Sequence, residues 1–366
     1  MKQLAYVGVD YHVKSITVAV YLPDKDLFFS TIHLPNDDKV VNKHMKKLSK
    51  DFQIKICYEA SGSGYVFQRK MKKQGYHCDV IAPSLIPRKP GERRKNDYRD
   101  SQKLAQNYAN NLLTIVRPPS QEEESVRSLI RCRLALKESA KTAKQQINSL
   151  LLSQGCRWKK SKWTQAHRRW LSQIEMPNIY IQQVLDEYVG HLEYLESRLQ
   201  NIEQQIEQLA NSETYAPSVK QLRALKGIGT LTAMVLISEI TDFRRFPNPG
   251  ALMAFLGLIP GEDSSADTRK NVGITKAGNR RCRTALIESV QHYVKRPYIS
   301  AKMKKDLSQV DAHSVVIAKK CMHRLHKRYW TLTMKGKVRQ KAITAIAREF
   351  VGFVWAIIQQ TPCATT

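Results

Sequence analysis

Between residues 181 and 209 the apolar side chains advance by alternating steps of four and three: Ile181, Leu185, Tyr188, Leu192, Leu195, Leu199, Ile202, Ile206 and Leu209. A 3.5-residue period held for about four repeats, with Glu, Gln and Arg elsewhere, describes a long helix carrying one narrow apolar seam. Such a seam is unstable in water until a second helix covers it. An earlier segment carries a matching pattern at Val126, Leu129, Leu136, Ala140, Ala143, Ile147 and Leu150, interrupted by Arg133. The two segments are expected to pack antiparallel as a coiled coil, within one chain or across a dimer. Heptads specify a partner helix but not whose helix it is, and an ordinary helical hairpin with no oligomeric role stays compatible.

The first hundred residues follow a different rule. Residues 3–9, 15–21 and 27–34 are β-branched or aromatic runs separated by turn-like DYHVK and LPDKD, which reads as a three-strand meander. Helical character over 38–50 precedes a buried strand at 54–60. A helix at 65–74, a strand at 77–82, a basic loop and a helix from about Asp97 to Leu112 complete the pattern. Strands that then alternate with helices predict an α/β domain with a mixed sheet.

Two acids end apolar strands: Asp10 after YVGV and Glu59 after IKICY. Ligands of α/β sheets gather at strand ends. Asp97 and Asp100 lie three apart at a helix start and so face one way. Four converging carboxylates repel unless cations neutralise them, and hard oxygen donors suit Mg2+ or Mn2+ in a site able to act on a phosphodiester. Spacing alone leaves another reading open, with Asp10 a turn acid, Glu59 a surface residue, Asp97 a helix N-cap and Asp100 placed for the dipole.

The charge bears on the partner. Lys and Arg number 60 against 32 Asp and Glu, a net charge of +28, in a chain that is 42% hydrophobic and 25% charged. That is the balance of a folded protein that meets a polyanion, and it weighs against a small-molecule metabolic enzyme. The cations fall in clusters. Pro87–Arg99 carries six basic residues, Arg93, Arg94 and Lys95 among them, where a phosphate backbone would approach the acids. Cys156–Trp170 holds six more, including Arg157, Lys159 and Lys160, with three tryptophans and no acid. There Trp163 and its neighbours are candidate faces for unstacked bases, or else pack on the coiled coil. Residues 295–341 hold fourteen Lys or Arg against Asp306 and Asp311, on helices with a basic face. The histidines at 292, 313, 323 and 326 lack the partners of a zinc set.

The seven cysteines include no CxxC, which argues for reduced, mostly buried thiols. No signal peptide begins the chain, and the longest apolar run, Phe350–Ile358, is too short to span a bilayer. The expectation is a cytoplasmic, nucleoid-associated protein with no membrane partner.

In the last third, KGIGTLTA has the shape of a helix-hairpin-helix turn, with glycines for the tight turn and helix amides free for a phosphate. Beyond it, Arg269, Lys270, Lys276, Arg280, Arg281 and Arg283 stand ready to clamp a phosphate behind Ser264 and Ser265. A serine hydroxyl is a poor nucleophile without a base or charge stabilisation, and such a pair is usually a turn feature.

GVDYH, YEASGSGY around Glu59 and KNDYRDSQKLA around Asp100 together resemble the DEDD insertion-sequence transposases. The resemblance implies a RuvC-like (RNase H-like) domain whose four metal-binding catalytic acids align with Asp10, Glu59, Asp97 and Asp100. Residues 220–300 resemble the family's second domain. Its GL-x-P element falls at Gly257–Pro260 and its (I/M)-(T/S)-K-x-G-(N/H) element at Ile274–Asn279, so Asn279 joins Arg269, Lys276 and Arg283 as an expected nucleic-acid contact. The family's nucleophile is a serine before glycine and aligns with Ser265. Here Ala266 replaces that glycine, which leaves Ser264 as the alternative and the backbone fit at 266 in question.

What the resemblance implies is a recombinase of a mobile element. Ser265 would form a phosphoserine link, and a bridge RNA would pair with donor and target DNA, in a homodimer or homotetramer. The expected organisation is an α/β RuvC-like domain over 1–118, a coiled-coil domain over 119–215 with its basic insert at 153–178, and a mainly α-helical domain over 216–366. The rivals are a Mg-dependent hydrolytic nuclease of the junction-resolvase type and a non-enzymatic nucleic-acid scaffold.

Overall fold

A computed structural model describes residues 2–60, 62, 64–87, 96–265 and 268–360; at 84, 262–265 and 268–272 it describes the backbone alone. The chain divides into two compact units, Met1–Pro119 and Ser120–Thr366.

The first unit runs β1 (Gln3–Tyr11), β2 (Ser15–Leu22), β3 (Leu27–Pro35), α1 (Asp38–Asp51), β4 (Phe52–Glu59), α2 (Val66–Lys73), β5 (His77–Ile81), α3 (Asp97–Ala109) and β6 (Ile115–Val116). The sheet order is β3-β2-β1-β4-β5-β6. The meander β1–β3 is antiparallel, β4 and β5 add in parallel, and β6 closes the edge antiparallel. The mixed sheet is as expected, except that the two-residue β6 was not foreseen. The order and the covering helices are consistent with an RNase H-like DEDD domain.

The strand pleat sorts side chains onto two faces. Ala5, Val7 and Val9 of β1 and Ile54, Ile56 and Tyr58 of β4 pack with Val41, Met45 and Leu48 of α1 and Phe67 and Met71 of α2. On the opposite face Cys57 and Ile81 pack with Leu104 and Tyr108 of α3, against Tyr6. Tyr6, Gly8 and Asp10 share a parity, as do Cys57 and Glu59. Both strand-terminal acids therefore lie on the α3 side of the sheet.

The second unit opens with α4 (Gln121–Ser153), whose start carries a capping box: Glu123 N–H donates to Ser120 Oγ at 3.0 Å and Ser120 N–H to Glu123 Oε2 at 2.8 Å. There follow α5 (Gln165–Gln173), α6 (Ile179–Ala210), α7 (Ala216–Arg223), α8 (Thr230–Ile240), α9 (Pro249–Phe255), β7 (Pro260–Ser265), β8 (Thr268–Ile274), α10 (Arg280–Val290), α11 (Ala301–Leu307), α12 (Ala312–Met334) and α13 (Arg339–Ile358). The seams of α4 and α6 cover each other within the chain. Arg133 pairs with Glu203, and Lys144 with Glu196 at 2.8 Å, so the helices run antiparallel. The break in the α4 pattern at Arg133 is thus an ion pair across the seam.

Val126, Ile130, Ile202 and Ile206 belong to the same core as Met234 and Leu236 of α8 and Phe350 and Val351 of α13. One end of the α4–α6 pair is therefore built into the C-terminal helices. The other end holds the basic insert, whose tryptophans gather round a fully buried histidine. Trp158, Trp163 and Trp170 have ring centroids 5.5, 5.1 and 5.6 Å from that of His167.

Among the described residues, Cys57, Cys78, Cys282 and Cys321 are buried free thiols, and no helix is long and apolar enough to cross a membrane.

Candidate active site

The site is built on the pleat of β1. Val9 pairs with Tyr58, so Asp10 and Glu59 end neighbouring parallel strands. Helix α3 brings the other two acids. Asn96 caps it, its side chain accepting from Tyr98 N–H at 3.0 Å, so Asp97 and Asp100 stand in the first turn and the reading of Asp97 as N-cap does not hold. The dipole of that turn favours negative charge. Gly8 makes the approach possible. A Cβ there would stand 2.2 Å from Ser101 O and 2.5 Å from Ala105 N, so only glycine admits the backbone of α3 against β1.

Asp10, Asp97 and His12 each bring one donor atom into a group whose three atoms lie within 4.8 Å of one another. They are the only such group of three or more His, Cys, Asp or Glu side chains among the described residues. His12 Nε2 lies 3.3 Å from Asp10 Oδ2 and 3.9 Å from Asp97 Oδ2. Burial holds the Asp10 carboxyl above its ordinary range; the charges of Asp97 and Asp100 push the same way, and the charge of His12 and a hydrogen bond from it oppose them. Asp10 Oδ2 and His12 Nε2 are buried atoms with no partner but each other. Such donors around a raised carboxyl fit a divalent cation, which would relieve the repulsion. Glu59 and Asp100 are half-buried at the same end of the sheet, outside the tight group. His12 was missed by the sequence reading, although it lies just past the end of β1, two residues beyond Asp10.

In the second unit the two signature loops interlock. Gly257 and Gly278 have φ of +65° and +122°, and a Cβ on either would meet backbone of the other loop, at Ala277 O (2.3 Å) and Phe255 O (2.1 Å). Lys276 N–H donates to Gly257 O at 3.1 Å and Thr275 N–H to Ile259 O at 3.0 Å. From this frame rises the antiparallel hairpin β7–β8, in which Ser265 pairs with Thr268. No strands were expected here, since PGEDSS and TRKNVGI lack apolar alternation. The side chains of Ser264, Ser265 and Arg269 lie outside the described residues, as do Arg93, Arg94, Lys95 and Ala266.

Beside the frame stands a carboxylate the sequence reading also missed. Glu239, on the otherwise apolar α8, has a side chain 1% exposed. It accepts from Arg131 Nε and Nη2 at 2.7 and 2.8 Å and from Asn279 Nδ2 at 2.7 Å, with Arg281 Nε 3.9 Å away. Burial alone would raise this carboxyl, but the hydrogen bonds from Arg131 and Asn279 and the charges of Arg131 and Arg281 outweigh it and hold the group below its ordinary range.

Three of the residues expected to contact nucleic acid also have partners within the fold. Asn279 binds Glu239 and caps α10 through Cys282 N–H. Arg283 is buried and donates to Leu256 O at 2.8 Å, clamping one signature loop. Trp163 packs on His167 beneath Lys144, whose Nζ is 5.4 Å from the ring centroid. Arg157, Lys159, Lys160 and Lys276 are exposed, as is the basic face of α12 at Lys320, Arg324, Lys327 and Arg328.

Comparison with known proteins agrees with this geometry. A profile described as the transposase IS116/IS110/IS902 family matches residues 219–304, and an IS110-type DEDD transposase profile matches residues 7–154. A Sinorhizobium fredii protein named as transposase y4qE is 36% identical over 331 residues, covering 90% of this chain and 82% of that protein. The transposase for insertion sequence element IS1533 of Leptospira borgpetersenii is 29% identical, covering 92% of this chain and 99% of its own length. The transposase for IS1328 of Yersinia enterocolitica is 22% identical, over 86% and 97%. With both halves matched in order and relatives aligned along most of their length, the chain belongs to the IS110 family of DEDD insertion-sequence transposases.

Proposed function

We propose that this transposase cuts and rejoins DNA through a divalent-cation site in its first unit and a serine nucleophile in its second. The observation that carries the reading is the grouping of donor atoms from Asp10, Asp97 and His12 within 4.8 Å of one another, around a carboxyl raised by burial and by its acidic neighbours. Asp10, Asp97, Asp100 and Glu59 would hold the ion, Mg2+ or Mn2+, and when bound it supplies Lewis-acid polarisation of the scissile phosphate.

Ser265 is the proposed nucleophile. Its Oγ bonds to phosphorus as the bond from phosphorus to the 3′ oxygen breaks, and the serine proton ends on that oxygen. The resulting phosphoserine ester keeps the phosphodiester energy, so a 3′-hydroxyl reverses the step on another strand without a nucleotide cofactor. The acids and the serine must meet on one phosphate, within a chain or across a homodimer or homotetramer. The α4–α6 pair is read as a coiled-coil arm of that assembly. Arg157, Lys159, Lys160 and Lys276, with Arg93, Arg94, Lys95 and Arg269, are proposed to grip the backbones of donor and target DNA and of a guide (bridge) RNA. Base pairing by that RNA would then choose the sequence.

The test supplies the purified protein with Mg2+ and DNA carrying the ends of its own element. Denaturation should leave DNA covalently attached to protein, and Ser265→Ala should remove the adduct. Cutting and rejoining that persist in Ser265→Ala, with the acids still essential, would mean that water attacks and the protein is a hydrolytic nuclease. Sequencing the RNA that co-purifies tests the guide: one enriched RNA from the element is expected, and a random cellular mixture removes it from the reading.

A further inference from the structure

We propose that His12 is itself a metal ligand of the acid site, making this a mixed nitrogen–oxygen centre that prefers a first-row transition ion such as Mn2+ over Mg2+. The inference rests on the cation-site reading above and adds to it a residue and an ion preference. The first support is distance. Donors bound to one cation at about 2.1 Å stand about 3 Å apart at right angles and about 4.2 Å apart when opposed. His12 Nε2 lies within that span of both Asp10 Oδ2 and Asp97 Oδ2, at 3.3 and 3.9 Å.

The second support is the lack of other partners. His12 Nε2 and Asp10 Oδ2 are buried atoms that answer only each other, 3.3 Å apart, with a third donor atom from Asp97 beside them.

The third support is placement. His12 follows directly on β1, and its backbone is pinned by its N–H to Ser15 O (2.9 Å) and by Asn36 Nδ2 donating to its carbonyl (2.8 Å). The ring is thus carried on a fixed turn. Mg2+ keeps its waters and prefers oxygen, whereas a neutral imidazole nitrogen suits transition ions. Adding one imidazole to the acids shifts the preference in that direction.

The test uses the full chain with Mn2+ alone, freed of other metals by chelation. Pulsed electron paramagnetic resonance of the wild-type complex should show modulation from a directly bound 14N nucleus. His12→Ala, and His12→Gln as a second variant, should lose that modulation. Both should weaken Mn2+ binding about 10-fold or more, the scale seen for even an outer-shell partner, while Mg2+ binding changes by less than about 3-fold. Wild-type Mn2+ bound with no 14N coupling, or coupling that survives both variants, overturns His12 as ligand while leaving the acid site standing. Mn2+ binding unchanged in Asp10→Ala and Asp97→Ala overturns the cation site itself.

Discussion

Asp10 of the first unit and Glu239 of the second are handled in opposite ways. Glu239 is the more deeply buried, yet a bidentate guanidinium and an amide hold it ionised. Asp10, 16% exposed, has two acidic neighbours, only His12 to answer it and a raised carboxyl. Two other acids of the second unit resemble Glu239: Asp306 takes Arg223 at 2.6 Å, and Asp311 caps α12 through Ser314 N–H at 2.9 Å. The first unit answers other acids as well, Asp38 with Lys70 at 2.7 Å and Asp79 with Tyr108 at 2.6 Å, so the crowding at Asp10 is local to the proposed cation site. What separates Asp10 from Glu239 is repulsion rather than burial.

That contrast can be broken experimentally, and the two units report separately, because all five tryptophans lie beyond residue 119. The largest effect is expected at the crowded site. Asp10→Ala should lower the rate of strand cleavage by about 100-fold or more, while unfolding followed by tryptophan fluorescence stays at the wild-type midpoint. A variant that cleaves normally places the chemistry elsewhere.

Glu239→Ala should do the reverse damage, costing about 3 kcal/mol in the tryptophan-reported transition. That is the low end for breaking a buried pair, since Arg131 is half-exposed and regains water. The Glu239 contribution is present above the ordinary Glu value of about 4.3 and is lost as pH falls through its depressed native value. Denaturant titrations of wild type and Glu239→Gln should therefore converge in acid.

Gly8→Ala probes how the acids are brought together. Overpacking against Ser101 O and Ala105 N should cost about 1–3 kcal/mol in the first unit and weaken Mn2+ binding with it, read by hydrogen exchange of β1 amides and by metal titration. A stability loss with intact metal binding would uncouple α3 from the site.

The smallest effect is expected at Asp311. Hydrogen bonds from the Ser314 side chain and backbone lower its carboxyl to about 2. Asp311→Ala should cost about 1 kcal/mol, as for other caps. Being depressed, Asp311 contributes above its ordinary value of about 3.9, and the difference from Asp311→Ala should vanish as pH falls toward 2.

Much of the first unit was legible in the sequence, because strands buried on both faces announce themselves as apolar runs and their pleat fixes which acids share a side. Strand β6 escaped because two residues carry no period. The hairpin β7–β8 escaped because its strands are polar, and pairing there owes nothing to an apolar face. The heptads correctly demanded a partner for α6, but only the fold names it as α4 of the same chain, with Arg133 answered by Glu203. The partners of Trp163, Asn279 and Arg283 within the fold were not legible, because residue type does not reveal which ring, amide or guanidinium also binds its own chain. His12 and Glu239 had visible signals, one its place two residues beyond Asp10 and the other a lone acid in an apolar helix. Their partners come from 85 or more residues away for His12–Asp97 and 108 for Glu239–Arg131, and no local pattern supplies them.

The most direct test of the contrast is the order of stability of the first unit in wild type and Asp10→Asn at neutral pH, by hydrogen exchange of β1 and β4 amides, with chelator and then with millimolar Mn2+. A raised carboxyl costs stability as pH rises above its native value, so in chelator Asp10→Asn should be the more stable protein. Mn2+ should reverse the order by binding only the wild-type site. A wild type already more stable in chelator, or Mn2+ protecting both proteins equally, would contradict the account.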